Sequence, residues 1–251
     1  MSPNGVGWTA AGRAAMKRGV EGDGALVCKE AVPGRTQPLP ADPLIYSGRE
    51  IGQILRGKAK RVVTFLGFGE LGYEDEARMC DIARGEMERH APERTIVNTS
   101  TLITNGFRHG IADVYGIAKW RGFETTGIHS SVCLQSRDRH TRSAFVDEIF
   151  FVRDGTWGGW LDAIGTASPT LLTLVEVSDE VVAIGGGKHT AEELREFCRR
   201  GRPVRFHAAD MSHRTSVGWA QRQGMEIANF RGAAHDAWLA ICQDRASRCD
   251  T

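Results

Sequence analysis

The residues best suited to hold a charged ligand form one loop of three glycines followed by polar side chains. In order they are Gly185, Gly186, Gly187, Lys188, His189 and Thr190. Glycines let backbone N–H groups turn toward an anion, and the lysine and threonine add a charge and a hydroxyl. The spacing is not that of a Walker A loop. The loop therefore predicts a phosphate-binding site of another kind.

Glu193 lies three residues after Thr190, and this spacing has two interpretations. In a capping box, Thr190 is the N-cap of a helix and Glu193 bonds back to the backbone N–H of Thr190. In an enzyme, the carboxylate orients water or stabilises the oxocarbenium ion formed when an N-glycosidic bond is cleaved. Both interpretations stay open, and Glu193 is the first candidate catalytic residue.

A second glycine loop has the G-x-G-x-x-G spacing of a dinucleotide-binding turn. It contains Gly67, Gly69 and Glu70. Such a turn either contacts a ligand or lets a strand and a helix pack closely. The carboxylate of Glu70 would repel a pyrophosphate, and the next apolar run ends without an acidic residue for a ribose hydroxyl. An NAD(P)-dependent oxidoreductase is therefore only a third hypothesis, and Glu70 is a second candidate catalytic carboxylate.

Hydroxyl, amide and guanidinium groups follow another apolar run, just before a helix-like segment. This loop contains Thr99, Ser100, Asn105, Gly106 and Arg108. Its backbone N–H groups and its arginine are suited to binding phosphate, and Arg108 is also a candidate catalytic residue. The alternative is ordinary helix capping beside a solvated arginine.

Two tryptophans surround glycines between residues 153 and 160. Trp157 either belongs to a lid, where its ring stacks on the base of a ligand, or packs within a turn. Both interpretations stay open.

Alternating apolar runs and helix-like segments must position these loops. The predicted strands are Arg61–Gly69, Thr95–Asn98, Thr125–Val132, Phe145–Val152, Glu180–Ile184 and Pro203–His207. The predicted helices are Tyr73–His90, Gly110–Arg121, Ser168–Ser178, Thr190–Arg200, Ser212–Gln223 and Gly232–Ala246. This alternation predicts an α/β fold, namely a Rossmann-like doubly wound, mostly parallel sheet with helices on both faces. Ligands bind such folds at the carboxyl ends of the strands.

The chain divides by composition into two parts. Residues 1–45 are rich in glycine and proline, which predicts a poorly ordered N-terminal arm or linker. Residues 46–251 contain the alternating pattern and form the predicted nucleotide-binding domain with its C-terminal helices. The stretch from Gln135 to Ser143 within it is so polar that we expect a break between elements.

Composition excludes several classes of function. The chain has 251 residues, of which 41% are hydrophobic and 25% charged, and its net charge is +1. We therefore expect a soluble globular protein with no nucleic-acid partner and no membrane partner, since no apolar run is long enough to span a bilayer. The start of the chain lacks the apolar centre of a secretory signal, so a cytoplasmic location is the default expectation. The cysteines and histidines have no metal-ligand spacing, which predicts no metal.

The order of these motifs resembles the SLOG superfamily of Rossmann-like proteins. The superfamily includes lysine-decarboxylase-like (LOG) phosphoribohydrolases, the core of the DNA-processing protein, molybdenum-cofactor carrier proteins and ligand-sensing domains. The resemblance covers about Arg61–His207, and its strongest part is V-x-x-S-D-x-x-V-A-I-G-G-G-x-x-T-x-E-E-L, which ends at Leu194. It implies that Gly185, Gly186 and Thr190 hold a phosphate and that Glu193 lies near a ribose.

The chain also departs from the LOG hallmark P-G-G-x-G-T-x-x-E. Ile184 replaces the proline, and the glycine loop is one residue longer. The Arg-Lys pair of LOG enzymes is missing from the preceding helix, where this chain has Leu171–Asp179. Because that pair supplies the catalytic arginine, only Arg108 or Lys188 is left as a substitute.

The sequence therefore predicts binding of a nucleotide or nucleotide-derived ligand, namely a nucleoside monophosphate, ADP-ribose or NAD. If the protein is an enzyme, we expect an N-glycosidic-bond hydrolase of the phosphoribohydrolase or NAD glycohydrolase type. The alternative is a non-catalytic sensor or carrier, which the missing Arg-Lys pair favours. No cofactor is expected, and a homodimer is an expectation by analogy with the superfamily.

Overall fold

The predicted strands and helices are present with small changes at their ends. The structure, a computed structural model, describes residues 36–104, 109–136, 139–227 and 229–249. Its strands are β1 (Thr36–Pro38), β2 (Ile45–Tyr46), β3 (Arg61–Gly67), β4 (Thr95–Thr99), β5 (Ile103–Thr104), β6 (Glu124–Ser130), β7 (His140–Ser143), β8 (Glu148–Val152), β9 (Glu180–Ile184) and β10 (Val204–His207). Its α-helices are α1 (Gly48–Gly57), α2 (Glu76–Met87), α3 (Val114–Trp120), α4 (Pro169–Val177), α5 (Lys188–Arg199), α6 (His213–Arg222) and α7 (Ala233–Cys249).

Seven strands form the main sheet, in the order β10-β9-β3-β4-β6-β8-β2. Every neighbouring pair in it is parallel. The central strands are buried on both faces, as the strands of a parallel sheet are. All five residues of β9 are buried, for example. The predicted Rossmann-like α/β fold is confirmed.

Helices cover both faces of this sheet. In β3, Val62 and Leu66 face a core that also contains buried side chains of α1, α4, α5 and α7. Val63 and Phe65 face the opposite core, which contains side chains of α2 and α3. This alternation follows from the period of two along a strand. In the described parts of the chain, no helix combines the length and the apolar character needed to cross a membrane.

The order of the strands reverses beside β3. The chain passes from β3 to β4, β6 and β8 on one side, and β9 and β10 lie on the other side. The helix after β3 and the helix after β9 cover opposite faces of the sheet. The loops that lead to these helices therefore diverge and leave a crevice between them at the carboxyl edge of the sheet. The two glycine loops predicted from the sequence meet at this crevice.

A second, three-stranded antiparallel sheet has the order β1-β7-β5. Its central strand, β7, lies in the stretch Gln135–Ser143, which we expected to be a break. That expectation is wrong for residues 140–143. Three of the four β7 residues are only half-buried, so the strand lacks the apolar pattern by which a strand is recognised.

Close packing at Gly67 generates a stability prediction. A Cβ atom at this position would lie 2.0 Å from the Tyr73 hydroxyl and 2.8 Å from the Ile184 carbonyl oxygen. Gly67→Ala should therefore lower the free energy of unfolding by about 1–3 kcal/mol, measured by urea denaturation. The matched control is Gly85→Ala, at an exposed position in α2 with open space around the added atom. It should stabilise the protein by about 0.5–1 kcal/mol, and equal effects of the two variants would contradict the prediction.

Candidate functional site

A cavity of about 450 Å³ lies at the carboxyl edge of the main sheet. Loops after β3, β4, β6 and β9 all contribute to its wall, as expected at the point where the strand order reverses. Its volume is in the range of small-molecule sites. Of the residues proposed from the sequence, those that line it are Gly67, Gly69, Glu70, Ser100, Trp157, Gly187, Lys188, His189, Thr190 and Glu193.

Close packing accounts for the first glycine of the G-x-G loop. The Tyr73 hydroxyl donates to the Ile184 carbonyl at 2.8 Å and accepts from the Phe68 N–H at 3.2 Å. The Tyr73 hydroxyl thus joins the end of β3 to the end of β9, and it leaves no room for a side chain at Gly67. Gly67 still lines the cavity, as do Gly69 and Glu70.

The three consecutive positions are glycines for different structural reasons. Gly185 and Gly186 have positive φ angles of 55° and 132°, which side-chain-bearing residues rarely adopt. A Cβ atom on either would also lie within 2.6 Å of Phe68 or Thr190, respectively. Neither of these glycines lines the cavity. Gly187 has an extended backbone, no atom within 4 Å of an added Cβ, and a place in the cavity wall.

Of the two interpretations of Thr190 and Glu193, the capping box is wrong. Helix α5 begins at Lys188, its N-cap is Gly187, and no side chain caps it. The Thr190 hydroxyl instead donates to the Gly67 carbonyl at 3.2 Å. The helix starts earlier than the sequence indicates because Thr190 finds a partner in the neighbouring loop and does not need to fold back on its own backbone.

The first turn of α5 brings hydrogen-bond donors and a lysine to the cavity wall. Backbone N–H groups in a first turn have no partner within the helix, and the helix dipole adds partial positive charge. Lys188 and His189 lie in this turn, and their side chains stand 3.8 and 3.7 Å from the Glu192 carboxylate. The Lys188 side chain is 83% exposed, so its ammonium is free to approach a ligand at the cavity mouth.

The carboxyl group of Glu193, which lines the cavity, has a raised pKa. It is 7% exposed, and burial raises its pKa to about 8. The Ser100 hydroxyl, which donates to Glu193 at 3.3 Å, lowers this pKa, and the neighbouring Glu192 carboxylate raises it. Burial therefore favours the protonated form of Glu193, which offers a hydrogen-bond donor.

Part of the loop after β4 contributes to the cavity wall. Ser100 lines the cavity, but Thr99 is fully buried, and its carbonyl accepts from the Tyr115 hydroxyl at 2.9 Å. Thr99 is thus a structural residue. Asn105, Gly106 and Arg108 lie outside the described residues.

Several residues that line the cavity were not proposed from the sequence. They are Phe68, Leu71, Thr101, Leu102, His129, Ser130, Cys133, His140, Gly158, Gly159, Thr170, Leu171 and Leu174. His129 and Ser130 end β6, so the rule that ligands bind at strand ends would have found them. His140 carries no such signal, because β7 is not recognisable in the sequence. No group of metal-ligating side chains occurs within the described ranges.

Trp157 lies at the cavity and not in the core. Its side chain is 55% exposed, and its ring centroid is 5.5 Å from that of His140. The loop is anchored on one side by the Ser130 hydroxyl, which donates to the Thr156 carbonyl. On the other side, the Trp160 N–H donates to Glu192 at 3.0 Å.

No family model and no curated protein matches the chain. The chain is similar to the solved molybdenum cofactor carrier protein from Chlamydomonas reinhardtii, with 22% identity over 59% of this chain and 76% of that chain and a TM-score of 0.40. It is also similar to the molybdenum cofactor binding protein from the phototrophic bacterium Rippkaea orientalis, with 19% identity, 76% and 98% coverage, and a TM-score of 0.42.

The raised pKa of Glu193 generates a prediction about stability and pH. Between its ordinary value of 4.5 and about 8, the folded chain binds more protons at this site than the unfolded chain. Its contribution to stability is therefore full below pH 4.5 and is lost as pH rises through 8. Urea denaturation should show Glu193→Gln gaining roughly 4 kcal/mol relative to the parent protein between pH 5 and pH 9.

Glu196→Gln is the opposite control. Hydrogen bonds from Arg199 and Arg200 lower the pKa of Glu196, so this carboxylate is ionised at both pH values. The variant should lose stability at pH 5 and at pH 9. If Glu193→Gln and the parent protein changed in parallel with pH, Glu193 would be ionised in the fold.

Proposed function

We propose that the chain binds a small phosphorylated, nucleotide-like ligand in this cavity and holds it without chemical conversion, as a carrier or a sensor does. The observation that carries the proposal is the uncapped first turn of α5, which opens into a cavity beside the protonated carboxyl group of Glu193. The phosphate would accept from backbone N–H groups of this turn and from Lys188. Glu193 adds a neutral donor that does not repel an anion.

The identity of Gly187 supports this position for the phosphate. The fold itself has room for a side chain there, so packing does not explain the glycine. A ligand that approaches the backbone closely does explain it. Glu70 lies in the loop after β3, and its carboxylate would accept from ligand hydroxyl or amino groups. The polar ligand is thus oriented with its anionic end at α5.

Two features favour holding the ligand over cleaving it. Helix α4, which carries the Arg-Lys pair in LOG enzymes, presents Thr170, Leu171 and Leu174 to the cavity. Glu193, the carboxylate that would stabilise an oxocarbenium ion, is largely neutral at physiological pH. A neutral carboxyl group supplies little of that electrostatic stabilisation.

The test is to titrate the protein with nucleoside monophosphates, ADP-ribose and NAD at pH 7 by calorimetry while chromatography follows release of the base. We expect saturable binding of at least one phosphorylated compound with no base released. Absence of binding by all of them would overturn the proposal.

Gly187→Ser separates ligand binding from folding. A serine at this N-cap would accept from a first-turn N–H and stabilise the protein by a few tenths of a kcal/mol. The same hydroxyl would compete with the phosphate, so affinity should fall at least about fivefold while the melting temperature is kept or raised. An affinity that does not change would place the phosphate elsewhere.

N-glycosidic hydrolysis is the second candidate, favoured by the presence of Glu193 and Glu70 in one cavity. In that case Glu193 must ionise to act. Base release would then rise with pH through about 8 and disappear in Glu193→Gln. Measuring base release from the same panel at pH 7 and pH 9 decides between the two candidates.

A further inference from the structure

The cavity wall also contains side chains that the proposed phosphate site does not use. His129 ends β6, His140 begins β7, and Trp157 belongs to the connection between β8 and α4. Cys133 and Leu102 add apolar wall between them. The three aromatic side chains come from three separate segments, and the ring centroids of His140 and Trp157 lie 5.5 Å apart.

Backbone carbonyls determine which nitrogen of each histidine is available to a ligand. Nδ1 of His129 lies 3.0 Å from the carbonyl oxygen of Ser100, and Nδ1 of His140 lies 3.0 Å from that of Ser136. A carbonyl oxygen only accepts, so each Nδ1 carries the proton. In the neutral imidazole, Nε2 is then an acceptor. Burial lowers the pKa of His129 to about 4, which keeps this imidazole neutral at physiological pH.

We propose that His129, His140 and Trp157 form a specificity subsite for an uncharged aromatic ring that carries hydrogen-bond donors. Trp157 offers the ring face for stacking, and the two Nε2 atoms accept from N–H groups at the ring edge. This inference rests on the proposed function, because the phosphate of the same ligand occupies the α5 end. A metal does not explain the pair, since the described residues contain no group suited to hold one.

The small antiparallel sheet positions one residue of this subsite. His140 pairs with Thr104 through the antiparallel ladder of β7 and β5, and β7 also pairs with β1. The small sheet thereby holds His140 at the edge of the cavity. An element outside the main sheet thus contributes one residue, His140, to the cavity wall.

The experiment compares three monophosphates that share a ribose phosphate and differ in ring donors. Guanosine monophosphate has ring N–H and amino donors, inosine monophosphate has the ring N–H alone, and purine riboside monophosphate has neither. Calorimetry at pH 7.5 should give affinities that decrease in this order. The first and last should differ at least about tenfold, since each unpaired buried acceptor weakens binding.

Variants test whether His140 is the residue that distinguishes the three probes. His140→Phe keeps an aromatic ring beside Trp157 but removes the acceptor. It should reduce the ratio between the first and last probes to about threefold or less, with little change for purine riboside monophosphate. His189→Phe is the matched control, because this histidine lines the same cavity at the α5 end and should leave the ratio unchanged.

The outcomes separate the two proposals. Equal affinities for the three probes, or an unchanged ratio in His140→Phe, would overturn the subsite and leave the phosphate site standing. If neither ribose 5-phosphate nor any of the three probes binds, the proposed function is overturned together with the subsite. A melting curve for each variant verifies that it is folded.

Discussion

The contact between the ends of β3 and β9 is the constraint on which the rest of the site depends. The Tyr73 hydroxyl joins the two strand ends, and the Thr190 hydroxyl joins the first turn of α5 to the carbonyl of Gly67. These short contacts leave no space for a side chain at Gly67. Because the loops after β3 and β9 lead to helices on opposite faces, the same contact closes the base of the crevice in which the cavity lies. Loosening it would move the uncapped end of α5, together with Glu193, away from Ser100.

The electrostatics of the cavity follow from burial more than from ion pairing. Glu193 has lost water and gained only a hydroxyl partner, so burial favours its neutral form. Glu196 lies one turn further along α5, and two arginines hold its carboxylate in the ionised form. The pKa values of two glutamates of one helix thus shift in opposite directions, because Glu196 has guanidinium partners and Glu193 has a hydroxyl partner. The result is a site with helix N–H groups and a neutral donor at one end, which suits an anion.

The His129 imidazole in the cavity wall is uncharged for a related reason. His129 is buried and neutral, and backbone carbonyls set the proton of both histidines on Nδ1. Acceptors and an indole face then remain for a ligand. The cavity wall therefore combines helix N–H groups with neutral acceptors and an indole face, and the proposed ligand, which joins a phosphate to a donor-bearing ring, would match both sets of groups.

The amino-acid sequence by itself determined the α/β class, the parallel sheet and the position of the glycine loops. Apolar runs that end in glycine are a local property and specify buried strands followed by turns. The sequence did not determine where α5 begins, because the choice between a capping box and the Gly67 carbonyl depends on a loop more than 100 residues away. Nor did it reveal that packing explains Gly185 and Gly186 whereas no atom packs against Gly187. His140 and the protonation of Glu193 were likewise decided by the tertiary structure, since burial and long-range pairing leave no local pattern.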